Sequence, residues 1–374
     1  MKWLDRAYKT LYLFVVGTTA ETIIKTYPEL VQLLDGDLKT EASAPCSQVE
    51  PKPKAIVYVA EEKYLEQLIQ SPVSLIVVHD KIAVPAKEKN ARKKTLLTTK
   101  NTYLAMALIN ARFFSLEFKR KPFITDMKIH PTAVVAPTAQ LADGVILGPH
   151  AVISDHVKVG ARTYIGAHTV IEPHTQLGED GYIHPHVYIG HSCRLGNRVE
   201  IKPHSVIGSD GFGFAKNAKG SHHHIPHYGP VLIEDDVYIG ANVNVDRGTF
   251  ESAIIGEGTK IDNHCHLGHN CKVGKNCIIT AGIIVAGSTT IGSNCVFAGR
   301  VSVNGHITIC DGCSFGPMSG ITNDVTEPGV YAGFPIIPFR DSLKSQASMV
   351  HLPRIRKNLT RVMKHLGLTE SDKG

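Results

Sequence analysis

The chain has 374 residues, 43% of them hydrophobic and 20% charged, a balance that excludes a disordered chain and a bulk membrane protein and allows two or three domains. Forty basic against 34 acidic side chains leave a net charge of +6, too small for a nucleic-acid footprint unless it is clustered. With 7% aromatics, 33 glycines and 20 prolines, the core has to be built from aliphatics and turns.

In chain order, Lys2, Arg6 and Lys9 precede the apolar run Leu11–Val16. The run is short for an export signal and Gly17, Thr18 and Thr19 supply no cleavage box, so residues 1–28 read as an amphipathic extension of a cytoplasmic protein. Residues 29–125 read as a small α/β domain. The stretch Ala55–Val78 runs strand, helix, strand (IVYV, KYLEQLI, LIVV), and a helix is expected from about Thr102 to Phe114.

From residue 126 to 325 the pattern changes. Aliphatic residues recur at every sixth position from Ile129 through Leu147, Ile165, Ile183 and Ile201 to Ile207, fourteen in succession. The phase resumes at Ile233, slips by four residues after Val245, and runs from Ile255 to Ile321. Six residues make one short strand and one sharp turn, with the aliphatic pointing inward and a following glycine (Gly166, Gly190, Gly268) easing the corner. Three hexads close a triangular coil, so the fold class is mainly β, a hexapeptide-repeat parallel β-helix. The uncharged run Asn276–Gly299 then belongs to the coil and is no membrane span. The spacing of Cys265, Cys271, Cys277 and Cys295 by multiples of six marks repeat positions occupied by reduced thiols. Residues 208–232 interrupt the repeat, and insertions in a solenoid collect on its binding face.

Residues 326–374 carry Pro328, Pro335 and Pro338, then helical segments broken by Pro353. In the last segment Ile355, Leu359, Val362 and Leu366 share a face, flanked by Arg354, Arg356, Lys357, Arg361 and Lys364. From Phe339 onward there are eight basic and three acidic residues, a net +5 that suits an acidic or phosphorylated protein partner.

Of the 20 histidines, His150, His156, His168, His174, His186 and His204 take the fourth place of a hexad, a corner facing solvent. His269 and His306 are different. They follow Leu267 and Val303, two coils apart, and Gly287 stacks between them. A histidine one rung from a backbone without a side chain gives a base, space for an acyl group and an N–H for an oxyanion, which is a layout for acyl transfer. Asp262 and Asn263, one hexad earlier, are placed to orient the imidazole or meet substrate. The adjacent His222, His223 and His224 cannot all face one ion, and no metal is expected.

The stretches IGSDGFGFA (Ile207–Ala215), VDRG (Val245–Gly248), IDNHCHLGHN (Ile261–Asn270) and VNGHITICD (Val303–Asp311) resemble the UDP-3-O-acylglucosamine N-acyltransferase family of lipid A biosynthesis, from about Leu30 to Leu366. The resemblance implies a left-handed winding and a homotrimer with sites between adjacent β-helices. It implies His269 as general base on the glucosamine 2-amino group, Asp262 holding its other ring nitrogen, the Gly287 N–H as oxyanion donor, and His306 as a supporting polar group. The donor implied is a 3-hydroxyacyl chain on the phosphopantetheine arm of acyl carrier protein, steered by the basic terminal segment, with no permanently bound cofactor. Asp210, Phe212 and Phe214 would meet the acceptor. Uracil would stack on Tyr58 and Tyr64, although Glu61 and Glu62 depart from the family's motif there. The competing readings are another hexapeptide sugar acyltransferase, O-acyl or N-acetyl, and a non-catalytic β-helix scaffold.

Overall fold

A computed structural model describes residues 17–114 and 128–368. The run Leu11–Val16 lies outside the described residues. The described residues divide into two compact units, 17–114 and 128–368.

The first unit holds a five-stranded sheet in the order Gln32–Asp35, Thr95–Thr99, Leu75–His79, Ala55–Val59, Ala44–Pro45. Only Gln32–Asp35 runs antiparallel to its neighbour. Alternate residues serve opposite faces. Ile56, Tyr58, Leu75, Val77 and Leu97 pack on one side with Ala105 and Ile109 of the helix Thr102–Phe113. Val57, Val59, Ile76, Val78 and Leu96 pack on the other with Leu65, Leu68 and Ile69. Asn101 starts the long helix by accepting the Leu104 N–H at 3.0 Å. Part of the segment set apart as an extension belongs to this unit. Thr18–Thr19 pairs with Glu41–Ala42, and the helix Ala20–Thr26 buries Ile23 in the core.

Tyr58 is a correction to the sequence reading. Its side chain is 7% exposed, and its hydroxyl donates to Asn110 Oδ1 at 2.9 Å. Tyr64 is partly buried and packs on the opposite face of the sheet, where the Lys63 ammonium stands 4.8 Å above its ring. The parity of a strand decides this. Position 58 shares the side of Ile56, whereas Tyr64 lies past the strand's end on the other side, so the two rings do not form one clamp. Glu61 and Glu62 are already paired with Lys63 (2.6 Å) and Lys89 (2.7 Å). Tyr58→Phe is expected to cost about 1 kcal/mol of stability, read by denaturant unfolding of the first unit, with no effect on turnover.

The second unit is the β-helix. Its three parallel sheets share a rise of one strand per 18 residues, as in Ile165↔Ile183, Ile171↔Ile189 and Leu177↔Leu195. We call these the first face (Ile146–Leu147 to Ser314–Phe315), the second (Val134–Val135 to Gly320–Ile321) and the third (Gln140–Leu141 to Thr308–Ile309). The second residue of each two-residue strand points inward, and Ile165, Ile171, Ile201 and Ile239 are fully buried.

The corners follow a chemical rule. Their third residue is left-handed, for example His168 at φ +56° and Asn270 at +60°, a conformation that Asn, Asp, Gly and His enter most easily. Between the first and second faces this aligns His150, His168, His186 and His204 with ring centroids 4.9, 4.9 and 5.1 Å apart. The glycine that opens many corners answers a different need, closeness. A Cβ on Gly148 would stand 2.6 Å from the Ala167 nitrogen on the next rung. Where the residue that ends a corner is Thr, Ser or Cys, it offers a hydroxyl or thiol to a carbonyl on the next coil. Thr163 donates to Gly178 (2.8 Å), and Cys277 occupies the same place, donating to Gly292 (3.1 Å). Cys265, Cys271, Cys277 and Cys295 therefore stand in for threonine, and every cysteine is free.

The last coil is covered by strand Val330–Ala332, strand Ile337–Pro338 and helix Phe339–Met349. The helix Leu352–His365 follows with its apolar stripe exposed. Asn276–Gly299 forms four coil strands, and among the described residues no helix is long and apolar enough to cross a membrane.

Candidate active site

Both interruptions of the repeat leave the coil at one corner, between the second and third faces. The first runs from Val206–Ser209 to Val231–Ile233 and carries an antiparallel hairpin, Phe214–Lys216 with His222–His224. The second connects Asn244–Asp246 to Ala253–Ile255. The coil closes in register across both, with Leu195↔Ile233 and Ile233↔Ile255. His269, Gly287 and His306 occupy the same corner on the next rungs.

Arg247 fastens the base of the first insertion. It is 1% exposed, so its charge has to be fully hydrogen-bonded. Nε donates to the Gly208 carbonyl at 2.9 Å, one Nη to the His191 carbonyl at 2.8 Å, and the other to the His191 ring. Burial first and the Arg247 charge second push the His191 pKa down, which keeps that ring available as an acceptor.

The His269 ring is partly buried and oriented by Asn270. Its Nδ1 lies 3.0 Å from Asn270 Oδ1, which also accepts the backbone N–H and the hydroxyl of Thr249, both at 3.1 Å. An oxygen fixed by a backbone N–H can only accept, so Nδ1 carries the hydrogen and Nε2 keeps its lone pair. Nε2 has no hydrogen-bond partner among the described residues and faces Gly287, where a Cβ would stand 2.6 Å from it. On the other side the ring touches the insertion. A Cβ on Gly211 would meet His269 Cβ at 2.5 Å, and the His227 ring packs edge-on with centroids 5.5 Å apart.

The Gly287 N–H is the second chemical group. At this corner position elsewhere, the N–H groups of Asn197, Lys275 and Ser293 donate to the side chains of Asp235, Ser293 and Asp311 one rung on. One rung on from Gly287 stands Gly305, which has no side chain. The Gly287 N–H consequently has no acceptor among the described residues and stands beside the His269 ring.

The carboxylate near His269 is Asp246, which sequence reasoning missed. It is buried, accepts from Ser209 Oγ at 3.0 Å, and lies 3.7 Å from His266 Nε2. Burial raises its pKa, and the surrounding His266, His269 and His227 pull it back down. Asp262 and Asn263 stand at the preceding corner, a whole face away from His269. There Asp262 Oδ1 accepts the Asn263 N–H (2.7 Å), and Asn263 Oδ1 accepts the Ala241 N–H (2.7 Å). Six residues along the chain lead to the next face; the axial neighbour of the His269 rung is the Asp246 rung, through Val245↔Leu267. Within one chain the expected orienting role of Asp262 is therefore not met, and VDRG was the signal that could have identified Asp246.

His306 is exposed and donates its backbone N–H to the Gly287 carbonyl at 3.1 Å. Phe212 and Phe214 pair at 5.1 Å with both rings exposed, and Tyr228 stacks on Phe250 at 6.3 Å. Asp210 Oδ1 lies 3.9 Å from Arg247 Nε. Arg354, Arg356, Lys357, Arg361 and Lys364 are all exposed on the terminal helix.

A coil of hexads with two insertions at one corner, beside a histidine and a free backbone N–H, has the form of a hexapeptide-repeat transferase. The family model described as bacterial transferase hexapeptide (six repeats) matches residues 138–173, 174–209 and 252–287. The chain is 44% identical over 345 residues to the UDP-3-O-acylglucosamine N-acyltransferase of Syntrophotalea carbinolica, covering 91% of this chain and 96% of that protein. It therefore belongs to the UDP-3-O-acylglucosamine N-acyltransferase family. A relative of the same name from Methylococcus capsulatus is 34% identical over 165 residues, and there the match spans 43% of this chain and 47% of the relative's length. The crystal structure of an Arabidopsis UDP-N-acetylglucosamine acyltransferase shares the fold, with 25% identity, a TM-score of 0.50, and 56% of this chain and 72% of that one covered.

Proposed function

We propose that this chain transfers a 3-hydroxyacyl group from acyl carrier protein to the 2-amino group of UDP-3-O-acylglucosamine. The observation that carries the reading is the free Nε2 of His269 beside the unpartnered Gly287 N–H. The amine attacks the thioester carbon, and the new C–N bond forms as the carbonyl oxygen takes up negative charge at the Gly287 N–H. His269 Nε2 accepts the amine proton. The imidazolium is stabilised by Asn270 Oδ1 at Nδ1 and by the Asp246 carboxylate behind it. As the C–S bond breaks, that proton passes to the departing phosphopantetheine sulfur, so no covalent enzyme intermediate is needed. No resident cofactor takes part.

Phe212, Phe214 and Asp210 fit the acceptor's acyl and sugar portions, and His306 supports the polar end. Tyr58, buried in its own core, is not offered to the uracil. The exposed stripe Ile355, Leu359, Val362 and Leu366 fits self-association into a trimer, and the free thiols fit a cytoplasmic setting.

The test is turnover of UDP-3-O-acylglucosamine with a panel of 3-hydroxyacyl carrier proteins, with N-acylated product read by mass. Product is expected with at least one donor, and its absence from a folded protein would overturn the reading. Reversing Arg356 and Lys357 to Glu is expected to raise the KM for the carrier about tenfold at low salt with kcat unchanged, the difference shrinking as salt is added. A fall in kcat at saturating carrier would contradict steering as the role of this helix.

A further inference from the structure

The insertion that follows Ile207 gathers three side chains with metal-ligating atoms, of which only Asp210 has a place in the proposed reaction. Asp210 stands where the chain leaves the coil, His224 at the end of the hairpin's return strand, and His227 where the chain rejoins the wall. One ligand atom from each lies within 4.8 Å of the other two. The spacing resembles a coordination set more than a hydrogen-bonded one. His224 Nε2 and Asp210 Oδ2 are 3.6 Å apart, too far for a hydrogen bond. Two donors on one tetrahedral ion with bonds of about 2.1 Å would be roughly 3.4 Å apart. The Asp210 carboxylate is divided in the same sense, with Oδ1 turned to Arg247 and Oδ2 to His224.

His227 supplies a second, independent observation. It is 4% exposed, and its Nδ1 is buried without a hydrogen-bond partner. Such an orphan is costly unless something outside the chain satisfies it. Two glycines make room for the Cε1–Nε2 edge of the ring: a Cβ on Gly213 would stand 2.9 Å from His227 Cε1, and one on Gly211 3.0 Å from Nε2. Asp210 and His224 are both partly exposed, which leaves an entry path and an open position.

We propose that Asp210, His224 and His227 bind a divalent transition-metal ion of the zinc class, which staples the hairpin to the coil beside His269. Two imidazoles and one carboxylate suit such an ion better than magnesium or calcium, which prefer all-oxygen sets. Of the three adjacent histidines only His224 takes part. The sequence argument against a metal was that all three cannot face one ion, and it does not apply to this set. With His227 edge-on to His269, the ion would fix the wall against which the base is held.

The test uses the metal-free full-length protein and zinc chloride alone, titrated against a chromophoric chelator. One equivalent per chain is expected. Asp210→Asn, His224→Asn and His227→Gln should each weaken binding by roughly two orders of magnitude, while His222→Ala with His223→Ala should leave it unchanged. Cobalt in place of zinc should show the visible bands of a four-coordinate site. Zinc should also slow tryptic cleavage at Lys216 and Lys219 in the hairpin. Because these readouts need no turnover, they stand or fall separately from the acyl-transfer reading. Failure of the wild-type protein to compete with the chelator would overturn the proposal, as would binding that is lost with His222 and His223 but survives His224→Asn and His227→Gln.

Discussion

His269→Ala is expected to lower kcat about a thousandfold, within the 10²–10⁴ that a positioned general base supplies. That corresponds to about 4 kcal/mol of barrier. The KM for either substrate should change little, because the ring meets the amine as its proton leaves rather than holding the sugar. Folding should be unaffected. Asn270 Oδ1 loses one donor but keeps both from Thr249, and the rung hydrogen bond from the Ser288 N–H to the position-269 carbonyl belongs to the backbone. Circular dichroism and a melting temperature within a few degrees of wild type would exclude unfolding. A residual kcat within tenfold of wild type would remove His269 from the mechanism and restore the scaffold reading.

Gly287→Ala should be nearly as damaging, although alanine adds a single methyl. On the existing backbone that Cβ would stand 2.6 Å from His269 Nε2, 2.7 Å from Cε1 and 2.9 Å from Cδ2, so the imidazole has to move. It has little room, because Gly211 and His227 occupy its other side. Moving the ring separates the base from the Gly287 N–H, and misplacement of about 1 Å can cost 10²-fold. A fall in kcat of roughly 10²–10³ is expected with an intact coil. Steady-state kinetics beside a crystal structure of the variant would decide. An active enzyme with a displaced His269 ring would show that the pairing of base and N–H is not what matters here.

The coil was legible because each hexad repeats one physical demand: an inward aliphatic, a small residue where rungs approach closely, and a polar residue that tolerates positive φ. The column of His269, Gly287 and Gly305, with His306 at the same corner, followed from the same count. What surrounds His269 did not. Asp262 is near in sequence but a face away, while Asp246 and His227 are brought to the base by two insertions whose lengths set the axial register. Asn270 is adjacent in sequence, yet its role depends on Thr249 fixing its amide oxygen. In the first unit the motif placed Tyr58 at a substrate although strand parity turns it inward. The helix Ala20–Thr26 was missed because seven residues are too few to show a period.

The closed end of the β-helix bears on how the protein loses structure. In a solenoid each coil is held by its two neighbours, so opening proceeds from the ends. At the start, the inward residues Val135 and Leu141 are only partly buried, whereas Phe315 and Ile321 lie buried under the strand and helix that close the other end. The coils bearing His269 and Gly287 are nearer that closed end. Amide hydrogens of residues 129–147 should therefore exchange well before those of 266–303, and the early coils can fray and re-form while the corner of His269 and Gly287 stays assembled.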